Sequence, residues 1–254
     1  MKIKKFIWIL LLLILWQVVA LSGKVSPLIF PSLGMIVKAM LDAITQGELL
    51  SQTLFSIVII IEGLLIGAIL AFILAIGSRM TESMSSLVET LITLAHPLPG
   101  IALLPIIILW LGTGRASIIF IIVHSVLWPL LLNLITGFKS TPKVYSDVGR
   151  NIGLNRLMLL KEIHIPASLP YLISGFKIAW ARAWRALISA EMVFGAVGGK
   201  GGLGWYIFKQ RVFMDTAGMF AALAVIMLIG ILVEKVLFEK VEALTIRRWG
   251  MTEK

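Results

Sequence analysis

Residues 139–171 read KSTPKVYSDVGRNIGLNRLMLLKEIHIPASLPY. Seven charged side chains fall in this stretch: Lys139, Lys143, Asp147, Arg150, Arg156, Lys161 and Glu162. It is therefore too polar to cross a bilayer, where a spanning helix needs about 20 mostly apolar residues. Long apolar runs flank it on both sides. Within it, Pro142 followed by Ser146 or Asp147 marks a helix start, with Asp147 as the expected N-cap. A second helical stretch over 154–163 sets Leu154, Leu157, Met158 and Lys161 at helical spacing, and Pro166 is expected to end it. Two readings stand on physics alone: a solvated connection, or a pair of short helices projecting as a docking knob.

The flanking composition explains the contrast. The 254 residues are 59% apolar and 14% charged, with a mean hydropathy of +1.01. A soluble domain carries about 25% charged residues, so this chain lacks the charged surface to cover its apolar side chains in water. Lipid is the remaining solvent. Apolar runs at 6–22, 54–78, 87–111, 116–138, 172–194 and 215–238 predict an all-α integral membrane protein of six spans. Residues 6–22, behind Lys2, Lys4 and Lys5, also have the outline of a signal peptide. No clean small-x-small site follows them, and the reading adopted is an uncleaved first span. Residues 23–53, with Pro27, Pro31 and Gly47, suit an external loop carrying a short amphipathic helix. Three domains are expected: 1–53, a core of 54–240 that includes the loop 139–171, and a cytoplasmic tail of 241–254, read either as part of a helical extension ending at Arg247 and Arg248 or as a plain membrane-edge anchor.

The net charge of +10 points to topology rather than nucleic acid, because the basic residues sit between apolar runs. With the N-terminus inside, the inner segments hold Lys2, Lys4, Lys5, Arg79, Lys139, Lys143, Arg150, Arg156, Lys161 and the basic residues from Lys235 onward. The outer segments hold only Lys24, Lys38, Arg115, Lys200, Lys209 and Arg211. Both termini are thus expected in the cytoplasm. The absence of Cys excludes disulfides and thiolate metal sites. His96, His124 and His164 are too scattered for a metal cluster, and no metal or cofactor is expected.

Several polar groups fall inside apolar runs. The third run is interrupted by Pro97, Pro99 and Pro105, which are tolerated where neighbours or water satisfy the freed backbone groups. Arg182 and Arg185 sit near the middle of the fifth span and Glu191 toward its outer end. Buried charges of this kind face a partner or water rather than lipid, and at 100° per residue the two arginines share a face. Lys177 is near enough to the cytoplasmic end to snorkel. Glu62 and Arg185 lie at similar depths, about 12 and 13 Å from the outer boundary. An ion pair between them is expected, the alternative being contact with a passing anion. His96, before Pro97, reads as a satisfied interior residue or a titratable pathway residue. Trp16, Trp110, Trp128, Trp180, Trp184 and Trp205 read as anchors or packing residues, with gating as the alternative for Trp180 and Trp184.

The polar loop resembles the cytoplasmic signature of importer permeases: Glu-Ala-Ala, three residues, Gly, nine residues, Ile-x-Leu-Pro. Here Asp147, Val148 and Gly149 occupy the opening triplet, beside Arg150. Gly153 follows after three residues, and Ile163, Ile165 and Pro166 after nine more. Residues 93–112 (TLAHPLPGIALLPIIILWLG), Pro129, Asn133, Gly137 and residues 187–208 (LISAEMVFGAVGGKGGLGWYIF) are similar to the nitrate/sulfonate/taurine branch of binding-protein-dependent ABC importers of type I. The likeness runs from about Pro27 to Trp249. It implies a non-catalytic permease of the bacterial inner membrane that pairs with a second permease copy. It implies also that the loop, through Asp147, Gly149, Arg150, Gly153, Ile163 and Pro166, docks a separate ATP-hydrolysing subunit. An external binding protein would deliver a small anionic solute such as a sulfonate, nitrate or taurine. The pathway would then include His96, Pro97, Pro99, Arg182, Arg185 and Glu191.

Rival classes lack their signatures. A secondary transporter or channel usually carries its own coupling site and often inverted repeats, and no convincing repeat is found. A membrane-embedded enzyme needs clustered catalytic groups such as His-Glu-x-x-His, and none is present. The run GAVGGKGGLG is not a phosphate loop, since Lys200 is followed by Gly201 and Phe194 stands where the first Gly belongs. It reads as a flexible external turn, or as a re-entrant segment where Gly allows close passage.

Overall fold

The apolar runs fold as helices because in lipid a segment must satisfy its own backbone donors and acceptors. The structure, a computed structural model, describes residues 2–245. In chain order the helices are α1 (Lys2–Leu21), α2 (Leu33–Thr45), α3 (Glu48–Met80) and α4 (Glu82–Ala95), then a 3₁₀ turn (Gly100–Leu103) leading into α5 (Leu104–Leu111). There follow α6 (Arg115–Ser140), α7 (Lys143–Asn151), α8 (Arg156–Leu159), a π turn (Leu160–His164), α9 (Ile165–Ala167) and α10 (Leu169–Phe194). α11 (Leu203–Val212), α12 (Thr216–Leu232), a second π turn (Val233–Phe238) and α13 (Glu239–Leu244) complete the order.

Among the described residues, Ile3–Leu21, Glu48–Met80, Arg115–Ser140 and Thr216–Leu244 are long and apolar enough to cross a membrane. Glu82–Ala95 and Gly100–Leu111 pass the same test jointly but are bent by 85° at the break between them. That makes five candidate spans if the bent pair is one. α10 has the length for a crossing but carries Lys177, Arg182, Arg185 and Glu191, which keep it outside this group.

Several sequence expectations are corrected here. α3 starts at Glu48 rather than 54, directly after Gly47, whose φ of +74° terminates the preceding turn. Pro105 does not break a helix; it opens α5 in the first turn, where its missing N–H is harmless. Asp147 is not an N-cap, because α7 begins four residues earlier, with Pro142 in the capping position. Pro166 does not end the second loop helix. It sits in the first turn of α9, and the backbone ahead of it widens into the π turn, so the helical path continues toward α10. The expected tail helix near Arg247 and Arg248 lies outside the described residues.

The chain divides into two compact units, one comprising Met1–Ile57 and Glu191–Ile229, the other Val58–Ala190 and Gly230–Lys254. In the first, the Trp16 ring stacks on Phe30 at 4.0 Å and meets Phe220 edge-on at 5.0 Å. Its indole N–H donates to Pro31 O at 3.0 Å, and the Leu33 N–H donates to Gln17 Oε1 at 3.0 Å. These contacts tie α1 to the start of α2.

In the second unit α6 is the buried centre, with Ile118, Ile121, Ile122, Val126, Leu130, Leu131 and Leu134 at or near zero exposure. Glycines decide what lies against it. A Cβ on Gly63 would stand 2.3 Å from Ile122 Cγ2, and one on Gly67 2.8 Å from Val126 Cβ. The two advance together along α3 and α6, so these helices run the same way. A Cβ on Gly137 would meet Ser168 at 2.6 Å, and one on Gly175 would meet Asn133 at 2.9 Å. That pairing runs in opposite senses, so α10 is antiparallel to α6. Such small-residue contacts drive helix association in lipid, where apolar burial supplies no preference.

Gly63→Val should cost about 1–3 kcal/mol by overpacking against the fully buried Ile122. The measurement is the midpoint of SDS or thermal denaturation in detergent. Gly230→Ala, where an added Cβ meets nothing within 4 Å, should leave that midpoint unchanged or raise it slightly.

Candidate functional site

The polar loop forms a rigid pedestal. α7 ends in a Schellman turn: the Leu154 N–H donates to Gly149 O at 2.9 Å and the Gly153 N–H to Arg150 O at 3.0 Å. Gly153 adopts φ +87°, a conformation that L side chains rarely take. Asn155 then caps α8, its side chain accepting the Met158 N–H at 2.9 Å. α7 folds back onto α8 at Gly149, where a Cβ would stand 2.5 Å from Leu159 and 2.9 Å from Ile163. The spacing of the two glycines therefore has two separate causes, a close approach at one and a left-handed backbone at the other. Asp147 and Arg150 pair on the surface at 3.8 Å, worth little by itself.

His164 joins three elements beneath this pedestal. Arg79, in the last turn of α3, approaches His164 Nε2 through Nη2 at 3.3 Å, and Ser146 Oγ of α7 lies 3.4 Å from the same nitrogen. A guanidinium only donates, so Nε2 accepts and Nδ1 carries the ring proton. Burial first, then the charges of Arg79 and Arg150, hold the His164 pKa below the usual imidazole value. The outer face of α7 has no partner among the described residues: Val144, Tyr145, Val148 and Ile152 are between 55% and 72% exposed.

A second feature is a cavity of about 670 Å³ in the same unit as the loop. Pro97, Pro99 and Gly100 line it at the break between α4 and α5, together with His96. Arg182, Arg185, Ala186 and Ser189 line it from α10. These α10 residues follow the i, i+3, i+4, i+7 spacing of one helix face. The packed face, Ala179, Ala183, Leu187 and Ala190, is fully buried and lies about 100° round the helix. Arg182 Nη1 stands 3.4 Å from His96 Nε2, and Arg185 Nε donates to Ala181 O at 2.9 Å. His124, Ser125 and Trp128 of α6 complete the wall. They were missed from the sequence, although His124 and Ser125 are polar interruptions in an apolar run. Trp180 and Trp184 stack at 5.6 Å, and Trp184 is buried, which makes it a packing residue.

The expected Glu62–Arg185 pair is not formed. Glu62 instead takes a two-pronged contact from Arg115 at the start of α6, with Nε donating to Oε2 at 3.1 Å and Nη2 facing Oε1. Equal depth says nothing about azimuth, and Glu62 precedes the glycine that brings α3 against α6.

Glu191 does not line the cavity. It is fully buried in the other unit, accepting the Ser56 hydroxyl at 2.8 Å and the Gly204 N–H at 2.9 Å, while the Leu203 N–H donates to Ser56 Oγ. The carboxylate, near the end of α10, thus caps the N-terminus of α11, and Ser56 joins it from a distant part of the chain. The glycine-rich run serves this arrangement. Gly198 and Gly199, both at positive φ, form a tight turn in which the Val197 N–H donates to Lys200 O at 2.8 Å. A Cβ on Gly202 would stand 2.0 Å from Glu191 Oε1, and one on Gly201 2.0 Å from the Trp205 ring. Close approach and turn geometry account for these glycines without a phosphate.

Helices with membrane-length apolar stretches, a polar-lined cavity and a projecting loop define a multi-pass transport permease. The chain belongs to the family of binding-protein-dependent transport system inner membrane components, which matches residues 63–245. It is 30% identical over 221 residues to a probable ABC transporter permease protein of Haemophilus influenzae, covering 87% of each chain. It is 25% identical over 228 residues to the taurine transport system permease protein TauC of Escherichia coli, covering 88% of this chain and 82% of TauC. With the nitrate import permease protein NrtB of Leptolyngbya laminosa it shares 27% over 197 residues, 76% of this chain and 69% of NrtB. It is thus a non-catalytic, multi-pass component of an inner membrane, working in an ABC system with an ATPase and a binding protein.

Two outcomes test the geometry. The unfolded chain takes a proton on His164 near pH 6.5, whereas the folded chain resists it. The site's contribution to stability is therefore complete above that pH and declines as pH falls through it toward the depressed folded value. Hydrogen-exchange protection of residues 143–164, corrected for intrinsic rate, should fall on acidification, and less so in His164→Gln. Glu191→Ala leaves the Ser56 hydroxyl and the Gly204 N–H without their acceptor and should cost about 1–3 kcal/mol. The readout is thermal denaturation in detergent, with Glu191→Gln expected to retain part of the loss.

Proposed function

We propose that this permease forms the membrane pathway of an ATP-driven importer for a small anionic solute, with α7 as the helix gripped by the ATPase. The observation that carries the reading is the row of exposed apolar side chains on α7: Val144, Tyr145, Val148 and Ile152. They sit on a loop too polar to enter lipid and on a support braced at Gly149 and Gly153. Such a face needs a protein partner, and a groove in the ATPase suits it as an apolar helix face suits a groove. Asp147, Arg150, Ile163 and Pro166 set its rim and base. Closure of the ATPase pair on ATP would move this helix and bias the pathway between two states.

In this proposal α10 also crosses the membrane, as the fifth of six spans, its charges facing the cavity rather than lipid, and both termini lie in the cytoplasm. The parallel course of α3 and α6 and the opposite course of α10 support that topology. The expected division into 1–53, a core of 54–240 and a tail of 241–254 is kept as a functional one, with 139–171 as the coupling loop. Two copies of the chain would enclose the pathway. His96, Pro97, Pro99, Arg182 and Arg185 line it, and Glu191 stands apart as the cap of α11. Two cavity-lining guanidiniums favour an anion, as do relatives named for taurine and nitrate. A sulfonate, nitrate or taurine-like solute fits this chemistry.

Replacing Val148 and Ile152 by Asp should reduce recovery of the co-expressed ATPase with the permease at least about tenfold, since each places a charge in a desolvated contact. Membrane insertion should be unaffected. Undiminished recovery, or solute uptake that persists in vesicles without ATP, would refute the coupling role.

A further inference from the structure

The cavity beside α10 presents two guanidiniums with no carboxylate to meet. Among the described residues, neither Arg182 nor Arg185 has an acidic group within 4 Å, although Arg115, Arg150, Lys139, Lys161, Lys177 and Lys209 all do. Arg185 spends only its Nε, on the carbonyl of Ala181 one turn back. Arg182 touches His96 through one nitrogen. Because a guanidinium can only donate, His96 accepts at Nε2 and its remaining proton lies on Nδ1. The other guanidinium nitrogens have no protein acceptor among the described residues.

Both arginines line the cavity from one face of α10, with Ser189 on the same face, and Ser125 lines it from α6. Leu98 and Ile101 from the helix break and Trp128 from α6 supply apolar surface, beside the imidazoles of His96 and His124. A volume of about 670 Å³ admits a small solute with part of its hydration. Two planar forks of N–H donors lining one cavity match the oxygens of a sulfonate or carboxylate. The apolar side chains of the lining, Leu98, Ile101 and Trp128, suit a short hydrocarbon portion.

We propose that this cavity is a binding site for the transported solute, and that it takes an organic oxyanion. Arg182 and Arg185 hold the oxyanion, and Leu98, Ile101 and Trp128 cover a short apolar tail. The proposal rests on the pathway reading above and deepens it. It makes charge selection a property of the permease, in addition to whatever the binding protein selects. His96 is a positioning residue here, holding one nitrogen of Arg182 and so orienting the fork.

The test uses the permease purified with its ATPase subunit in nanodiscs. Arginines are modified with phenylglyoxal and located by mass spectrometry, with ethanesulfonate, nitrate or choline present. Ethanesulfonate should protect Arg182 and Arg185 at concentrations at least tenfold below those at which nitrate does. Choline should not protect them, and Arg79 and Arg156 should be labelled equally throughout. Equal protection by ethanesulfonate and nitrate, protection of all four arginines together, or no labelling of Arg182 and Arg185 in any condition would overturn the proposal. Equilibrium binding of radiolabelled ethanesulfonate should fall at least tenfold in Arg185→Gln, with Arg185→Lys retaining a larger share. Unchanged binding in Arg185→Gln would also overturn it. Recovery of the ATPase in the same preparation separates the two claims. Its absence rejects the coupling reading, whereas its presence without protection rejects the oxyanion site alone.

Discussion

The second unit depends on the close approach of α6 to its neighbours at positions without side chains. Inside a bilayer, apolar surface is as well solvated by lipid as by another helix, so hydrophobicity cannot choose which faces meet. Shape does. Gly63 and Gly67 admit Ile122 and Val126, and Gly137 and Gly175 admit Ser168 and Asn133. These four contacts set the partners of α6 and the relative directions of three helices. The rotation of α10 follows from the same packing, with its alanine stripe buried and its arginines turned to the cavity.

That rotation organises the polar chemistry. A charged side chain in a membrane helix is costly facing lipid, and the unit meets the cost in two ways. Glu62 is neutralised by Arg115 near the start of α6. Arg182 and Arg185 have no acid within 4 Å among the described residues and are placed on a cavity instead. In the other unit, buried Glu191 caps α11 and is enclosed by glycines that leave it room. One chain thus uses charge for bracing, for capping and for lining a cavity.

The polar loop of residues 139–171 shows how a short motif distributes its tasks. Gly149 permits contact with α8, and Gly153 takes a left-handed turn that reverses the chain. His164 joins the end of α3 to α7 through one acceptor nitrogen. The helix that emerges is stiffly held at its inner face and bare at its outer one. The proposed coupling role would need both properties, since a loose support would absorb the displacement.

Much of this was legible in the residues alone. Composition excluded a soluble fold and the apolar runs marked the helices, whereas the spacing of Gly153, Ile163, Ile165 and Pro166 marked the loop through its resemblance to importer permeases. The first two inferences rest on local physics: a helix in lipid needs length, low polarity and an internally satisfied backbone, all of which are written along the chain. The misjudged points are those that local pattern leaves free. Pro105 and Pro166 were read as breaks because proline lacks a donor, yet in a first helical turn the missing donor costs nothing. The partner of Glu62 depended on the azimuth of α3 against α6, and the role of Glu191 on a serine 135 positions away. Depth and periodicity follow from sequence by itself; which side chains face one another was decided only by the packing of helices in three dimensions, because contacts across helices depend on rotation and close approach that no single segment specifies.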